Sequence, residues 1–359
     1  MDKSLHVVFM YLLIHIGLIL FMYPADIIDS VSRTHWLPIL IGVVVHITFI
    51  WIFMKGLSFF ENKSIVDIYF EAGKGISFIF LVPVMIYFLL VTITTVSAHS
   101  EIINIAFLSE TPDWAIIVLF LVIAAYIATK GVEAILRTGL LIALLFFPLT
   151  IFIYFMSFQN VDWRYFFPLF DIDYSFLTER SYYKSYFAFT GGFLFLGFVQ
   201  PYFYYNRKKV LLAALLLIPF FLFAVYTPIL TFGQATSATL HFPFILVLDS
   251  IYIHWLIFDR VTMFFLLSLI IFIMLLVSLV LWKMSRIMTG FFPKLKPNYI
   301  IYFLTVLTFV VCLIIPNWND IDKLFWWNTF FRFYSLLVVP ISIYILGWRS
   351  QRKGNVENG

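Results

Sequence analysis

The side chains able to do chemistry in this sequence are few, and most lie inside apolar runs. His15 and His46 are the ionisable groups at depth, and Tyr87, Thr92, Thr94, Thr190 and Ser268 are hydroxyls spread through long hydrophobic stretches. Such hydroxyls can orient a small ligand by hydrogen bonding. Without an adjacent general base they do not become nucleophiles. No G-x-S-x-G, H-E-x-x-H, C-x-x-C, phosphate-loop or dinucleotide-binding glycine pattern is present. No enzyme, cofactor or metal site is therefore expected. Taken singly, each hydroxyl has a plainer role as a helix-packing hydrogen bond, and a neutral, hydrogen-bonded state is the plain reading of both histidines. Tyr87 stands out because it sits mid-run beside Pro83.

Glycine supplies the second chemical signal. "HIGLILFMYP", from His15 to Pro24, and "TGGFLFLGFVQP", from Thr190 to Pro201, share one pattern: glycine, a short apolar run, then proline. Both residue types are poor helix formers. A helix broken inside a bilayer frees N–H and C=O groups that are tolerable only against protein, water or a ligand. Freed N–H groups at a half-helix suit a carboxylate, and freed carbonyls suit an ammonium. Gly17, Gly191 and Gly192 are expected at such breaks around one cavity. Gly197 is expected to serve close helix packing.

The elements that must position these groups follow from composition. Of 359 residues, 63% are hydrophobic and 12% charged, with mean hydropathy +1.01. A soluble domain carries about 25% charged residues, so a polytopic membrane protein is expected. Runs of about 20 apolar residues cross a bilayer. Ten are expected: Leu5–Met22, Trp36–Met54, Ile76–Ser97, Trp114–Thr129, Thr138–Met156, Ser185–Tyr205, Val210–Phe232, Val261–Trp282, Tyr299–Ile315 and Phe333–Trp348. With that list, 16 of 23 Lys and Arg residues fall on the side of the termini. The positive-inside rule then makes both termini cytoplasmic. The net charge of +4 is too small to suggest nucleic acid. Cys312, the only cysteine, reads as a small packed hydrophobe.

Five spans precede Ser157 and five follow. An odd number per half inserts the halves with opposite orientation, the arithmetic of an inverted repeat. No Asp, Glu, Lys or Arg is expected deep in any span. That disfavours proton relays and ligands of high net charge, and favours a neutral or zwitterionic solute. Glu133 and Arg137, spaced i, i+4, read as a surface or interhelical pair.

Three stretches carry a family resemblance. "LSETPDWAIIVLFLVIAAYIATKGVEAILR", Leu108–Arg137, has a Thr-Pro-x-Trp entry and a Tyr-x-Ala-x-x-Gly-x-Glu-x-x-x-Arg exit. "FDRVTMFFLLSLI", Phe258–Ile270, has an acid–Arg entry, and "HIGLILFMYP" is the third. Together they resemble the spore germination receptor B subunits, a branch of the amino acid–polyamine–organocation superfamily. Asp259 stands where that family usually has Glu, and Ile19 where it often has a second glycine.

The resemblance spans the whole chain. It implies an all-α, ten-helix, five-plus-five inverted repeat of LeuT-like form with discontinuous helices 1 and 6. One membrane domain would cover 1–348, with repeats at about 1–156 and 180–348 and a polar cytoplasmic tail, 349–359, expected to be unstructured. The implied ligand site lies among spans one, three, six and eight, at Gly17, Leu18, Tyr87, Thr190, Gly191, Gly192, Phe193, Phe264 and Ser268. The implied function is a nutrient germinant receptor in the spore inner membrane. Its implied partners are an A subunit with membrane spans, a lipoprotein C subunit and the lipid bilayer. An amino-acid permease is the alternative.

Overall fold

The computed structural model describes residues 3–106, 110–168, 170–171, 173–251, 261–315 and 317–357, and these are mostly helical, with no strand among them. The first half contains α1 (Lys3–Ile19), α2 (Tyr23–Ser30), α3 (Trp36–Leu57), α4 (Ile65–Ala72), α5 (Lys74–Ala106), α6 (Asp113–Thr129) and α7 (Val132–Met156). The second contains α8 (Arg180–Thr190), α9 (Phe195–Val199), α10 (Arg207–Leu216), α11 (Ile218–Phe232), α12 (Gln234–Ser237), α13 (Pro243–Asp249), α14 (Val261–Phe291), α15 (Pro297–Ile314), α16 (Trp318–Phe333) and α17 (Val339–Glu357). Asp259 and Arg260, like Leu108 and Ser109, lie outside the described residues.

Seven helices are long and apolar enough to cross a membrane, or eight when the bent pair α1–α2 is one span. Two of the ten expected spans fall short of that length. One is α6, with 17 residues, and the other is the interrupted α8–α9. Large apolar side chains such as Leu141, Leu145 and Phe155 of α7 stay exposed. A patch of that kind on one helix face is what a lipid-facing surface requires.

Local chemistry sets the helix ends. Ser64 and Asp67 form a reciprocal capping box at the start of α4, closing two of the donors a helix start leaves open. Asn206 and Asn317 cap α10 and α16 through their side-chain oxygens. Gly131 and Gly233 take positive φ at the turns before α7 and after α11, where a Cβ would be strained.

Three expectations are corrected. The last span was expected to begin at Phe333, but helix runs from Trp318 through a π-helical turn at Tyr334–Val338 into α17. The polar tail, expected to be unstructured, continues α17 helically to Glu357. Finally, four charged side chains are buried: Asp26, Lys283 and Arg332, with Lys184 largely so. Each lies within four residues of an expected span edge, where a hydropathy window closes on meeting a charge.

Candidate functional site

The centre of the molecule contains two interrupted helices. Between α1 and α2 the chain bends by 52° across Leu20–Met22. Pro24 opens α2 and has no N–H to give the Leu20 carbonyl, which prevents continuous helix. The break therefore falls three residues beyond Gly17. Gly17 itself is helical, and a Cβ there would lie 3.1 Å from Cβ of Phe272 on α14. Its place is a close helix contact.

The second interruption matches the glycine pair. Helix α8 ends on Gly191, at φ +40°. Tight bonds from Phe195 to Gly192 and from Leu196 to Phe193 then start α9. Among the described residues, the N–H groups of Gly192, Phe193 and Leu194 reach no backbone acceptor. These are the unspent groups that a broken helix presents.

Helix α1 packs against this break, one to two turns before its own. A Cβ on Gly191 would lie 2.8 Å from Nε2 of His15, and one on Gly192 would lie 2.8 Å from Cγ2 of Ile14. Nδ1 of His15 donates to the Tyr11 carbonyl at 2.8 Å. Nε2 is therefore left as an acceptor beside Gly191, with no hydrogen-bond partner of its own. The Tyr11 hydroxyl and His46 Nε2 are hydrogen-bonded. From α5, the Tyr87 hydroxyl donates to the Gly191 carbonyl at 3.5 Å. The Thr190 hydroxyl is buried without a partner.

The nine expected positions thus divide. Tyr87, Thr190, Gly191 and Gly192 meet at the second break, joined by His15. Phe193, fully buried, packs its ring on Phe53 and lies 6.4 Å from the His46 ring. Gly17 belongs instead to the seam between α1 and α14. Leu18 is buried in the core. On α14, Phe264 is half-buried, and Ser268 donates to its carbonyl at 2.8 Å, so that hydroxyl is engaged within its own helix.

Helix α16 carried no expected site residue, yet it holds a polar stripe. Asn328, Arg332 and Ser335 are fully buried at i, i+4 and i+7, one helix face. Both amide atoms of Asn328, Nε of Arg332 and the Ser335 hydroxyl lack hydrogen-bond partners. Ser335 sits in the π-helical turn, a feature frequent at functional sites. Arg332 donates to the Lys184 carbonyl at 2.6 Å and stacks on Phe325, 4.6 Å from the ring centre. The sequence signal was the three-to-four spacing itself, hidden in a run too polar to register as a span.

Charges close the end of the molecule nearest α2. Lys184 lies 3.4 Å from Asp26 of α2 and 2.7 Å from Asp322 of α16. This ties three helices together around the first half of the broken α8–α9 pair. Lys283 differs: its ammonium stands 3.9 Å over the Phe88 ring, with no carboxylate partner among the described residues. A buried cation costs desolvation, and the aromatic face returns about 2 kcal/mol. Lys283→Met keeps the stem and removes the charge. It is expected to melt at or above the parent's temperature in detergent, and a clearly lower midpoint would show that the ammonium is needed structurally.

The fold and site define a polytopic helical membrane protein with a polar centre built at interrupted helices. Residues 3–321 match the spore germination protein family, and the chain belongs to that family. It is 24% identical to spore germination protein B2 of Bacillus subtilis (strain 168), over 92% of this chain and 91% of that protein. It is also 24% identical to the putative spore germination protein YfkT of the same organism, over 64% of this chain and 63% of that one. The protein is thus a germination-related membrane protein, and its family is not one of enzymes.

Proposed function

We propose that this chain is a nutrient germinant receptor subunit that binds a small neutral or zwitterionic nutrient, an amino acid, at the α8–α9 break. The observation that carries the reading is the pairing of unspent groups of opposite character there. The N–H groups of Gly192, Phe193 and Leu194 are donors without a backbone acceptor, and His15 Nε2 and the Thr190 hydroxyl are acceptors without a partner; the Gly191 carbonyl, which takes the Tyr87 hydroxyl, keeps a second lone pair. An α-carboxylate suits the first set and an ammonium the second, with Tyr87 beside both. Among the described residues no Asp or Glu pairs with a group at the break, which disfavours a cationic ligand and is compatible with one of no net charge. The ten-span inverted repeat, the spore inner membrane and the A and C partner subunits rest on the family resemblance.

The test is equilibrium binding of a panel of radiolabelled amino acids to the purified chain, followed by uptake into proteoliposomes. Saturable binding without accumulation is expected. Accumulation against a gradient would make the chain a permease, and no saturable binding would remove the site.

Orientation is a separate proposal, and the charge bias supports it. Lys208→Cys in a Cys312→Ala background is expected to react with an impermeant maleimide only from the cytoplasmic side. Labelling from the outer side alone would invert the assignment.

A further inference from the structure

A second candidate site lies apart from the turn at Gly191 and Gly192. It is a groove of about 790 Å³ between the end of α3, the loop before α4 and the segment that leads from α9 into α10. The start of α1 lies at the same end, since the Asn206 N–H donates to the Ser4 hydroxyl. Lys55, Arg207 and Lys208 line the groove, with Glu61 the only acid. None of the three cations forms an ion pair among the described residues. Six aromatic residues line the wall, among them Trp51, Tyr202 and Tyr204, the last 82% exposed.

The helices on either side of the groove show what it faces. On α3, the exposed residues Leu40, Val44, Thr48, Trp51 and Lys55 fall on one stripe. That stripe is mainly apolar until tryptophan and then lysine end it. On α10, Arg207 and Lys208 open the helix, and exposed Leu212 and Leu215 follow. The α3 wall therefore runs from a cation at the mouth through a tryptophan to aliphatic surface, and α10 runs from cations directly to exposed leucines, with Tyr202 and Tyr204 just before it. That sequence of surfaces matches the headgroup, interface and acyl layers of a bilayer leaflet. Basic pockets between membrane helices suit anionic lipid headgroups.

We infer that this groove binds the phosphate headgroup of an anionic phospholipid, its acyl chains lying along the exposed faces of α3 and α10. A soluble phosphate would gain nothing from those aliphatic faces, and a zwitterionic lipid would not use the surplus positive charge. Gln200, directly after α9, donates to the Leu57 and Phe60 carbonyls. The groove wall is thus continuous with the inner half of the broken helix.

The test is native mass spectrometry and thermal melting of the full chain, titrated with phosphatidylglycerol or phosphatidylcholine in detergent. Phosphatidylglycerol should be retained and should raise the melting temperature, and phosphatidylcholine should do neither. The Lys55→Gln, Arg207→Gln, Lys208→Gln triple variant should lose phosphatidylglycerol affinity by about tenfold or more. Lys55→Arg with Lys208→Arg should bind as the parent does. Should the triple variant fail to fold, the parent alone decides, because retention must weaken with rising salt. Equal retention of both lipids, salt-independent retention, or a folded triple variant with parental affinity would each overturn the inference. So would displacement by inorganic phosphate at equal concentration, which would mark a soluble-anion site. Failure to bind phosphatidylglycerol, with the triple variant losing a co-purifying protein subunit, would overturn it in favour of an acidic protein segment.

Discussion

Spores carrying Gly192→Leu are expected to need about tenfold more nutrient, or more, for half-maximal germination, a loss of about 1.4 kcal/mol in apparent binding. The subunit itself should remain in the membrane. A first side-chain carbon on Gly192 already lies 2.8 Å from Ile14 Cγ2, closer than carbon atoms approach. Leucine must therefore push α1 away from the break, and it fills the space beside the unspent N–H groups of 192–194. The segment stays apolar, so insertion should be unaffected. Gly197→Ala provides the comparison on the same broken helix. Its nearest contact would be 2.8 Å from the tip of the Phe53 ring, but alanine adds a single carbon and lies away from the N–H groups of 192–194. Its dose–response should shift much less. The measurement is a germination dose–response with subunit amounts fixed by immunoblot. A parental response from Gly192→Leu at equal protein would place the site elsewhere, and disappearance of the subunit would make the glycine a packing residue.

The glycine pair was legible in the sequence because helix physics inside a bilayer leaves few uses for it. Helix α8 does end at the pair, and Tyr87, singled out for its place beside Pro83, reaches the Gly191 carbonyl. The matching break in the first half was displaced. Proline, by withholding an N–H from Leu20, fixes the bend at 20–22, while Gly17 serves the approach of Phe272. Pattern reading weighted the residue that permits a bend over the one that forces it. The spans were legible wherever hydropathy was continuous. It failed for α16, where "WNDIDKLFWWNTFFRF" mixes charge with tryptophan. The buried status of Asp26, Lys184, Lys283 and Arg332 was illegible for one reason. A charge at the edge of an apolar run looks the same in sequence whether it leaves the bilayer or turns inward to a partner on another helix.

That ambiguity can be resolved by experiment at Lys184. Lys184→Met is expected to destabilise the purified chain by about 3 kcal/mol, the low end of the range for removing one partner of a buried pair. The low end applies because Lys184 keeps 16% of its side chain exposed, against 7% for Asp26. The loss arises from Asp26, left buried without its adjacent cation, and less from the Lys184–Asp322 contact, whose acid is 41% exposed. Asp26→Asn combined with Lys184→Met removes the stranded charge and should recover most of the loss. That coupling separates a charge effect from lost packing, since packing loss would be additive. Thermal melting of the parent, both single variants and the double variant in one detergent gives the cycle. If the single variants sum to the double, the pair is solvated and the three helices are held by their apolar faces alone. If the double variant recovers, α2 and α8 are latched by charge on the approach to the α8–α9 break. On the proposed function, a nutrient entering from that end would separate them before reaching Gly191.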